Sequence, residues 1–511
     1  MLFNSHVFIL AFLPICLAGY YFLRRRTHQG AVWWLILCSV VFYAYWRIDY
    51  VIILVGSTLG NYALALQLER TRSRALLVFG LALNLGLLCY FKYAGFFLGL
   101  ALPDQSVPDA IKNMALPLAI SFFTFQQVAY LVDVWRGVTP VSRFSSYALA
   151  VTIFPHLIAG PIVRYQYLTQ QIDRIAHASR SIPRTALAGL ALFIIGLSKK
   201  VLVADSLAPF ATRVFDFAKA GYRVGFYDGW LGALAYTFQL YFDFSGYSDM
   251  AIGLALMMGV KLAINFFSPY KATNIIEFWR RWHISLSMFF RDYVYIPLGG
   301  SRAGQGRTIL NLLIVMGLVG LWHGAGWTFV LWGLYHGLLL AVAHAWQSWR
   351  SGSFSLAPQL ALAGAPKSST EGSRGAKVTS WTITFFLVVV GWVLFRAEGL
   401  NAAVAVYKGM FFQDGWTGAR LALIDPRLYW VGGALVAAGL FVSVALPNAT
   451  EIMRRLHRID GAERYIDVSL SPRGWTYLRL TPAYGAALGV LAYLSLATIS
   501  AVSTEFLYFN F

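Results

Sequence analysis

Charge is what this chain has least of. Asp, Glu, Lys and Arg make up 12% of its 511 residues, whereas a soluble globular protein carries about 25%. Long apolar runs take their place. Val7 to Phe22, Val32 to Trp46, Leu76 to Phe91, Ala186 to Leu197, Ile309 to Trp322, Trp327 to Val342, Thr382 to Leu394, Tyr429 to Leu446 and Ala483 to Ile499 recur from end to end. With flanking residues, most reach the roughly 20 that cross a hydrocarbon core. Alternation at every second residue, the mark of a transmembrane barrel, is missing. The expectation is an all-α polytopic membrane protein with about 12 transmembrane helices.

Cysteine is scarce as well. Cys16, Cys38 and Cys89 lie inside apolar segments at no metal-ligand spacing, which fits small core residues and predicts no metal site. The opening "MLFNSHVFIL" lacks a positive n-region and "RRR" follows the first apolar run, so no cleavable signal is expected. No internal repeat is visible, which disfavours an inverted-repeat transporter.

Acidic residues are outnumbered, 22 against 41 Lys and Arg, for a net charge of +19. Lys and Arg gather in the cytoplasmic loops of membrane proteins, and topology explains the excess better than nucleic-acid binding does. The clusters are Arg24 to Arg26, Arg70 to Arg74, Lys199 with Lys200, Arg280 to Arg307, Lys367 to Lys377 and Arg454 to Arg479. With "RRR" cytoplasmic, the amino terminus lies outside. The last apolar segment follows a basic loop and runs outward, so Tyr508 in the closing "EFLYFNF" also faces outside. The chain then divides into a core at 1–350, a Gly/Ser/Ala/Pro-rich flexible cytoplasmic loop at 351–380, C-terminal helices with a basic loop at 381–481, and a final outward helix and tail at 482–511.

Four interior segments carry polar groups that a span normally excludes. "FPHLIAGPI" sets His156 among prolines, and backbone broken at membrane depth must be buried in protein or line a cavity. "YFDFSGYSDMAIG" puts Asp243 and Asp249 in an apolar stretch. An intramembrane carboxylate costs about 2.5 to 3.5 kcal/mol, so it needs a partner or a wet cavity; a structural hydrogen-bonding role is favoured for both. In "NIIEFWRRWHISLSMFFRDYVYIPLGGSR", read as one helix, Phe278, Trp282, Leu286 and Phe289 form an apolar stripe. Glu277 and Arg281 form an i,i+4 pair, and Arg280, His283 and Ser287 form a polar row. A polar row between aromatic rows suggests the wall of a pore, although an interfacial helix with solvated arginines also explains the arginines. In "GLVGLWHGAGWTFVLWGLYHG", His323 interrupts a stretch without Asp, Glu, Lys or Arg, flanked by Gly320, Gly324 and Gly326. It reads either as a hydrogen-bonded helix linker or as a general base, since burial keeps an imidazole neutral and able to accept a proton. His336 and His344 read as packing or interface histidines.

These segments resemble the signature stretches of the membrane-bound O-acyltransferase family, within it the bacterial branch of alginate O-acetylation proteins. The likeness runs from "FNSHVFILAFLPI" through "FFLVVVGWVLFRAE". It implies a ring of helices, with re-entrant and interfacial pieces, around a central funnel. It implies that His323 of the "WHG" stretch is catalytic and His283 its companion. Arg280, Ser287, Asp243, Asp249 and His156 would line the funnel, and Arg281 and Arg302 would meet the phosphates of acetyl-CoA. Acetyl-CoA is implied as acyl-donor substrate, with no permanently bound cofactor.

The closing "EFLYFNF" resembles the C-terminal aromatic motif of peptidoglycan O-acetylation membrane components and of the peptide partner in teichoic-acid D-alanylation. There a terminal tyrosine is thought to carry the acyl group, which makes Tyr508 a third catalytic candidate; an interfacial aromatic belt is the plainer reading. The implied setting is the bacterial inner membrane, with both termini periplasmic. The implied partners are an extracytoplasmic SGNH or serine-hydrolase-like acetyltransferase, a polysaccharide synthase or export complex, and lipids, with no nucleic acid. The implied acceptor is alginate, cellulose, another exopolysaccharide or peptidoglycan. Direct transfer to the glycan without a relay, and a transporter or channel for an acyl donor or polymer, are the alternatives.

Overall fold

The computed structural model describes residues 1–102, 108, 116–158, 160–174, 182–302, 304–351, 373–416, 427–453, 481–499 and 507. The described residues are helical, with no strand among them. In chain order the helices are α1 (Leu13–Arg24), α2 (His28–Ala44), α3 (Val51–Thr71), α4 (Arg74–Leu88), α5 (Ala94–Ala101), α6 (Ile120–Trp135), α7 (Phe144–Thr152), α8 (Phe154–Leu157), α9 (Tyr165–Arg174) and α10 (Ile182–Ser198). There follow α11 (Asp205–Lys219), α12 (Phe226–Met257), α13 (Ile275–Arg281), α14 (Ile284–Phe290), α15 (Gln305–His323), α16 (Trp327–Ser351), α17 (Arg374–Arg396), α18 (Leu400–Met410), α19 (Arg427–Ala445), α20 (Ala449–Met453) and α21 (Pro482–Thr498).

Each apolar run of the sequence becomes a helix because a lipid-facing backbone must satisfy its own hydrogen bonds. Eight stretches among the described residues are long and apolar enough to cross a membrane, and the shorter helices α2 and α21 are apolar as well. Their ends follow local chemistry. Thr27 and Ser73 accept the Gly30 and Leu76 amides at the starts of α2 and α4, as N-cap hydroxyls do. Asn448 and Glu451 exchange side-chain-to-amide bonds of 2.9 and 2.8 Å to start α20, a reciprocal cap. Ser373 caps α17, whose first residue, Arg374, falls inside the stretch read as loop from 351 to 380. Residues 352–372 of that stretch, the basic loop at 454–480, and Tyr508 lie outside the described residues.

The chain divides into two units, one of Met1–Ile195 with Tyr247–Ala263, the other of Gly196–Gly246 with the described residues from Ile264 on. In the first, Phe3, Phe8, Phe12, Phe42 and Phe154 build an aromatic core, with Phe3 stacked on Tyr247 at 4.6 Å. Two buried amides, Asn61 on α3 and Asn84 on α4, satisfy each other at 2.7 and 3.1 Å. His156 belongs to this unit. The helical run is interrupted at Ile153, and Pro155 is the second residue of the short α8. One ring nitrogen meets the Ala150 carbonyl at 2.8 Å and the other the Gln126 side-chain amide at 2.8 Å. A carbonyl can only accept, so Nε2 carries the proton and Nδ1 takes the Gln126 N–H. Asp249 is also in this unit, buried within α12.

Candidate functional site

The second unit holds the two histidines that the resemblance marks as catalytic candidates, His283 and His323. The row of Arg280, His283 and Ser287 was expected on one continuous helix, but the chain breaks there. α13 ends at Arg281, and His283 takes a left-handed backbone with φ 44° and ψ 53° before α14 begins. A neighbouring strip fixes the break: the Phe267 amide donates to the Arg281 carbonyl and the Ile284 amide to the Asn265 carbonyl, both at 3.0 Å. Turned by the break, His283 points at Asn265 rather than along the row.

Asn265 sets the state of that ring. Its Oδ1 accepts the Ser285 hydroxyl at 2.9 Å and the Ser285 amide at 3.3 Å. A backbone amide only donates, so this atom is the amide oxygen, and His283 Nδ1 at 3.1 Å must donate to it. The proton therefore sits on Nδ1, and Nε2 carries the lone pair. His283 is completely buried, and burial holds its pKa down to about 3, which keeps the ring neutral.

His323 ends α15, where the following Gly324 leaves the helix. Its ring centroid lies 6.3 Å from that of His283 and about as near to an aromatic cage: Trp322 at 4.9 Å, Phe395 at 5.0 Å and Trp332 at 5.3 Å. The two imidazoles the sequence put forward are thus brought together in one buried, aromatic-walled place, with Phe244 edge-on to His283 at 4.7 Å. His336 packs among Trp279, Trp332 and Trp392, accepting the Trp279 indole N–H at 3.4 Å.

Arg280 and Ser287 stand apart from His283, on the wall of a cavity whose other lining is Ile276, Trp279, Leu286, Phe290, Leu312, Val315, Met316, Val319, Leu340 and His344. His344, read from sequence as a packing or interface residue, joins the two polar groups there. Arg281 forms the expected i,i+4 pair with Glu277, at 2.6 Å, and Glu277 also accepts the Thr273 amide at 2.8 Å. Arg302 is exposed in the loop before α15.

Asp243 has the partner an intramembrane carboxylate needs, and it is one the sequence reading missed. Lys200 was assigned to a cytoplasmic basic cluster; instead it is buried in a widened π-helical turn, Lys199–Ala204, between α10 and α11. Its ammonium lies 2.8 Å from Asp243 Oδ1 and 2.6 Å from Asp205 Oδ1. Sequence carried half of the signal, an aspartate in an apolar stretch that required a cation. The other oxygen of Asp243 accepts the backbone N–H of Leu507 at 3.0 Å.

The comparisons with known proteins agree with one another. Residues 142–359 match the membrane-bound O-acyltransferase family. The chain is 42% identical over 449 residues to the protein named "Probable alginate O-acetylase" of Pseudomonas aeruginosa, covering 86% of this chain and 80% of that one. With the protein of the same name from Pseudomonas putida it shares 39% identity over the full length of both. With the peptidoglycan O-acetyltransferase of Helicobacter pylori it shares 41% over 81% of this chain and 80% of that one.

Proposed function

The chain belongs to the membrane-bound O-acyltransferase family and is a multi-pass membrane O-acyltransferase, and from that premise we propose what it transfers and by which residues. It takes acetyl from cytoplasmic acetyl-CoA and passes it across the bacterial inner membrane for O-acetylation of an exported polysaccharide. The carrying observation is the pairing of His283 and His323 at 6.3 Å inside one aromatic cage. An imidazole without a proton on one ring nitrogen carries a lone pair there that can accept one, which is what a general base requires.

In this reading His323 takes the proton from the acceptor hydroxyl. The oxygen attacks the thioester carbonyl carbon, the C–S bond breaks, and the CoA thiolate leaves with the proton that histidine returns. Arg280, Ser287 and His344 give an otherwise apolar cavity the polar points that a long, partly polar donor such as acetyl-CoA requires, and Arg281 and Arg302 supply cationic charge for its phosphates.

The acceptor is Tyr508. A phenol of pKa ~10 gives up its proton more readily than a sugar hydroxyl and leaves more readily as an ester. The acetyl-tyrosine then serves an extracytoplasmic serine-hydrolase-like transferase, with both termini on the periplasmic side. The names of the relatives support a glycan acceptor, alginate or another exopolysaccharide. The Helicobacter relative supports peptidoglycan as the second reading.

Purified protein incubated with acetyl-CoA labelled in the acetyl group tests this. Label is expected on Tyr508, and none in Tyr508→Phe. Turnover to an added glycan that survives Tyr508→Phe sinks the relay, and normal transfer by His323→Ala sinks the assigned base.

A further inference from the structure

An N–H buried without an acceptor is destabilising, and the wall of the histidine cage holds one. Trp332 is completely buried, yet among the described residues its indole Nε1 has no hydrogen-bond partner. Buried indole N–H groups ordinarily find one. The rings packed on Trp332 show why this one does not. Phe395 at 4.9 Å and Trp392, stacked at 5.6 Å, present no acceptor. His336 at 5.1 Å already accepts the Trp279 indole at its Nδ1, so the neutral ring has only a proton to offer at Nε2.

A further neighbour of the same ring is His323. The two stand edge to face, with centroids 5.3 Å apart and planes at 87°. An atom that reacts beside the His323 imidazole therefore lies next to the indole as well. A fixed donor with no resting partner, in an aromatic-walled place, is suited to charge that appears only in a transition state. It requires no reorganisation when the charge develops, and its hydrogen bond is strongest at that moment.

In the reaction assigned to His323, that charge forms on the thioester carbonyl oxygen. As the acceptor oxygen bonds to the carbonyl carbon, the C=O π pair moves onto oxygen. When the pair returns, the C–S bond breaks and the thiolate takes the proton held by the imidazolium. We propose that the Trp332 indole N–H is the oxyanion donor for this step, holding the carbonyl oxygen while His323 handles the proton. Trp332 is then a catalytic residue as well as a wall of the cage. This rests on the acyl-transfer chemistry proposed for His323, and the test separates the two.

Trp332→benzothienylalanine puts sulfur where the N–H stood, so it keeps the shape of the ring and deletes the donor. In full-length protein in nanodiscs, release of CoA from acetyl-CoA reads turnover. The isostere is expected to lower kcat at least about 100-fold, the effect of losing one oxyanion donor, with KM little changed. Its Tm should be unchanged or higher, because an unsatisfied buried N–H has been removed. Trp332→Phe also lacks the donor but leaves a void, so it should lose both kcat and Tm. An isostere with wild-type kcat overturns the inference. A rise in KM at constant kcat overturns it too, since the N–H then binds donor and transition state alike. A second measurement needs no Trp332 variant. In His323→Ala, the stretch of an isotope-labelled thioester carbonyl in bound acetyl-CoA should fall below its value in an apolar solvent, and an equal value overturns the donor. Turnover lost in His323→Ala but kept in the isostere leaves the base and removes the oxyanion donor. The opposite result keeps the oxyanion donor and removes the base.

Discussion

Asn265 Oδ1 holds His283 by its Nδ1–H at 3.1 Å and, through the same atom, the hydroxyl of Ser285 at 2.9 Å. One side chain thus fixes both the tautomer of the imidazole and the turn that carries it. Asn265→Ala removes the anchor but leaves the ring in place. A hydrogen bond of this kind contributes about 1 to 3 kcal/mol, so kcat is expected to fall roughly 5- to 150-fold with KM for the acyl donor little changed. Steady-state acetyl transfer at varied donor concentration checks it. A rise in KM at constant kcat would place Asn265 in donor binding instead.

The burial that keeps His283 neutral also makes stability depend on pH. The ring lies in the break between α13 and α14, outside the spans, and its folded pKa is held down to about 3 from 6.5. As pH falls through about 6.5 the unfolded ring takes up a proton that the folded ring refuses until about 3. The folded state therefore loses stability across that window and is unaffected above it. Thermal unfolding in detergent at pH ~7.5 and ~5 should show a larger drop in Tm for wild type than for His283→Gln. Equal drops would mean that the ring is not buried as described.

Lys200 gives a charge test. Its ammonium pairs with two buried carboxylates, and removing one partner of a buried ion pair typically costs about 3 to 5 kcal/mol because the remaining charge is uncompensated. Lys200→Met is expected to destabilise on that scale. Combining it with Asp205→Asn and Asp243→Asn should restore much of the loss, since the carboxylates that needed the cation are then neutral. A triple variant no more stable than Lys200→Met alone would show that the lysine acts by packing rather than charge.

The helices were largely legible in the sequence, because a lipid-facing run declares itself by composition: Ile309–Trp322 lies within α15 and Thr382–Leu394 within α17. The prominence of His283 and His323 was legible too, as polar residues within apolar and aromatic stretches. What spacing could not show was the break at His283. Its left-handed backbone is imposed by Asn265 and Phe267, residues in a different stretch of chain. Helical periodicity therefore grouped it with Arg280 and Ser287, from which the fold separates it. The burial of Lys200 was hidden for a similar reason. Its partners lie five positions on, at Asp205, and in another helix, at Asp243, so a local reading saw only a basic pair next to a loop.

The approach of α15 to α16 sets where His323 can stand. A Cβ on Gly320 would lie 2.2 Å from the Phe329 carbonyl oxygen, and one on Gly333 would lie 2.1 Å from that of Met316. Neither oxygen can yield without moving a helix, and small residues are what permit such approach in membranes. Gly337 faces the same interface differently. A Cβ there would meet the Leu313 Cδ2 and Met316 Cβ atoms at 3.2 Å, and at least the leucine tip can shift. Gly333→Ala is expected to cost about 1 to 3 kcal/mol, the scale of overpacking. It should also depress acetyl transfer, because α15 ends at His323 while Trp332 of its cage stands on α16 beside Gly333. Gly337→Ala should be nearly neutral in both respects. Thermal unfolding and labelled-donor turnover on the two variants decide it. Equal tolerance would show that the helices can part without disturbing the cage, and that His323 is held from elsewhere.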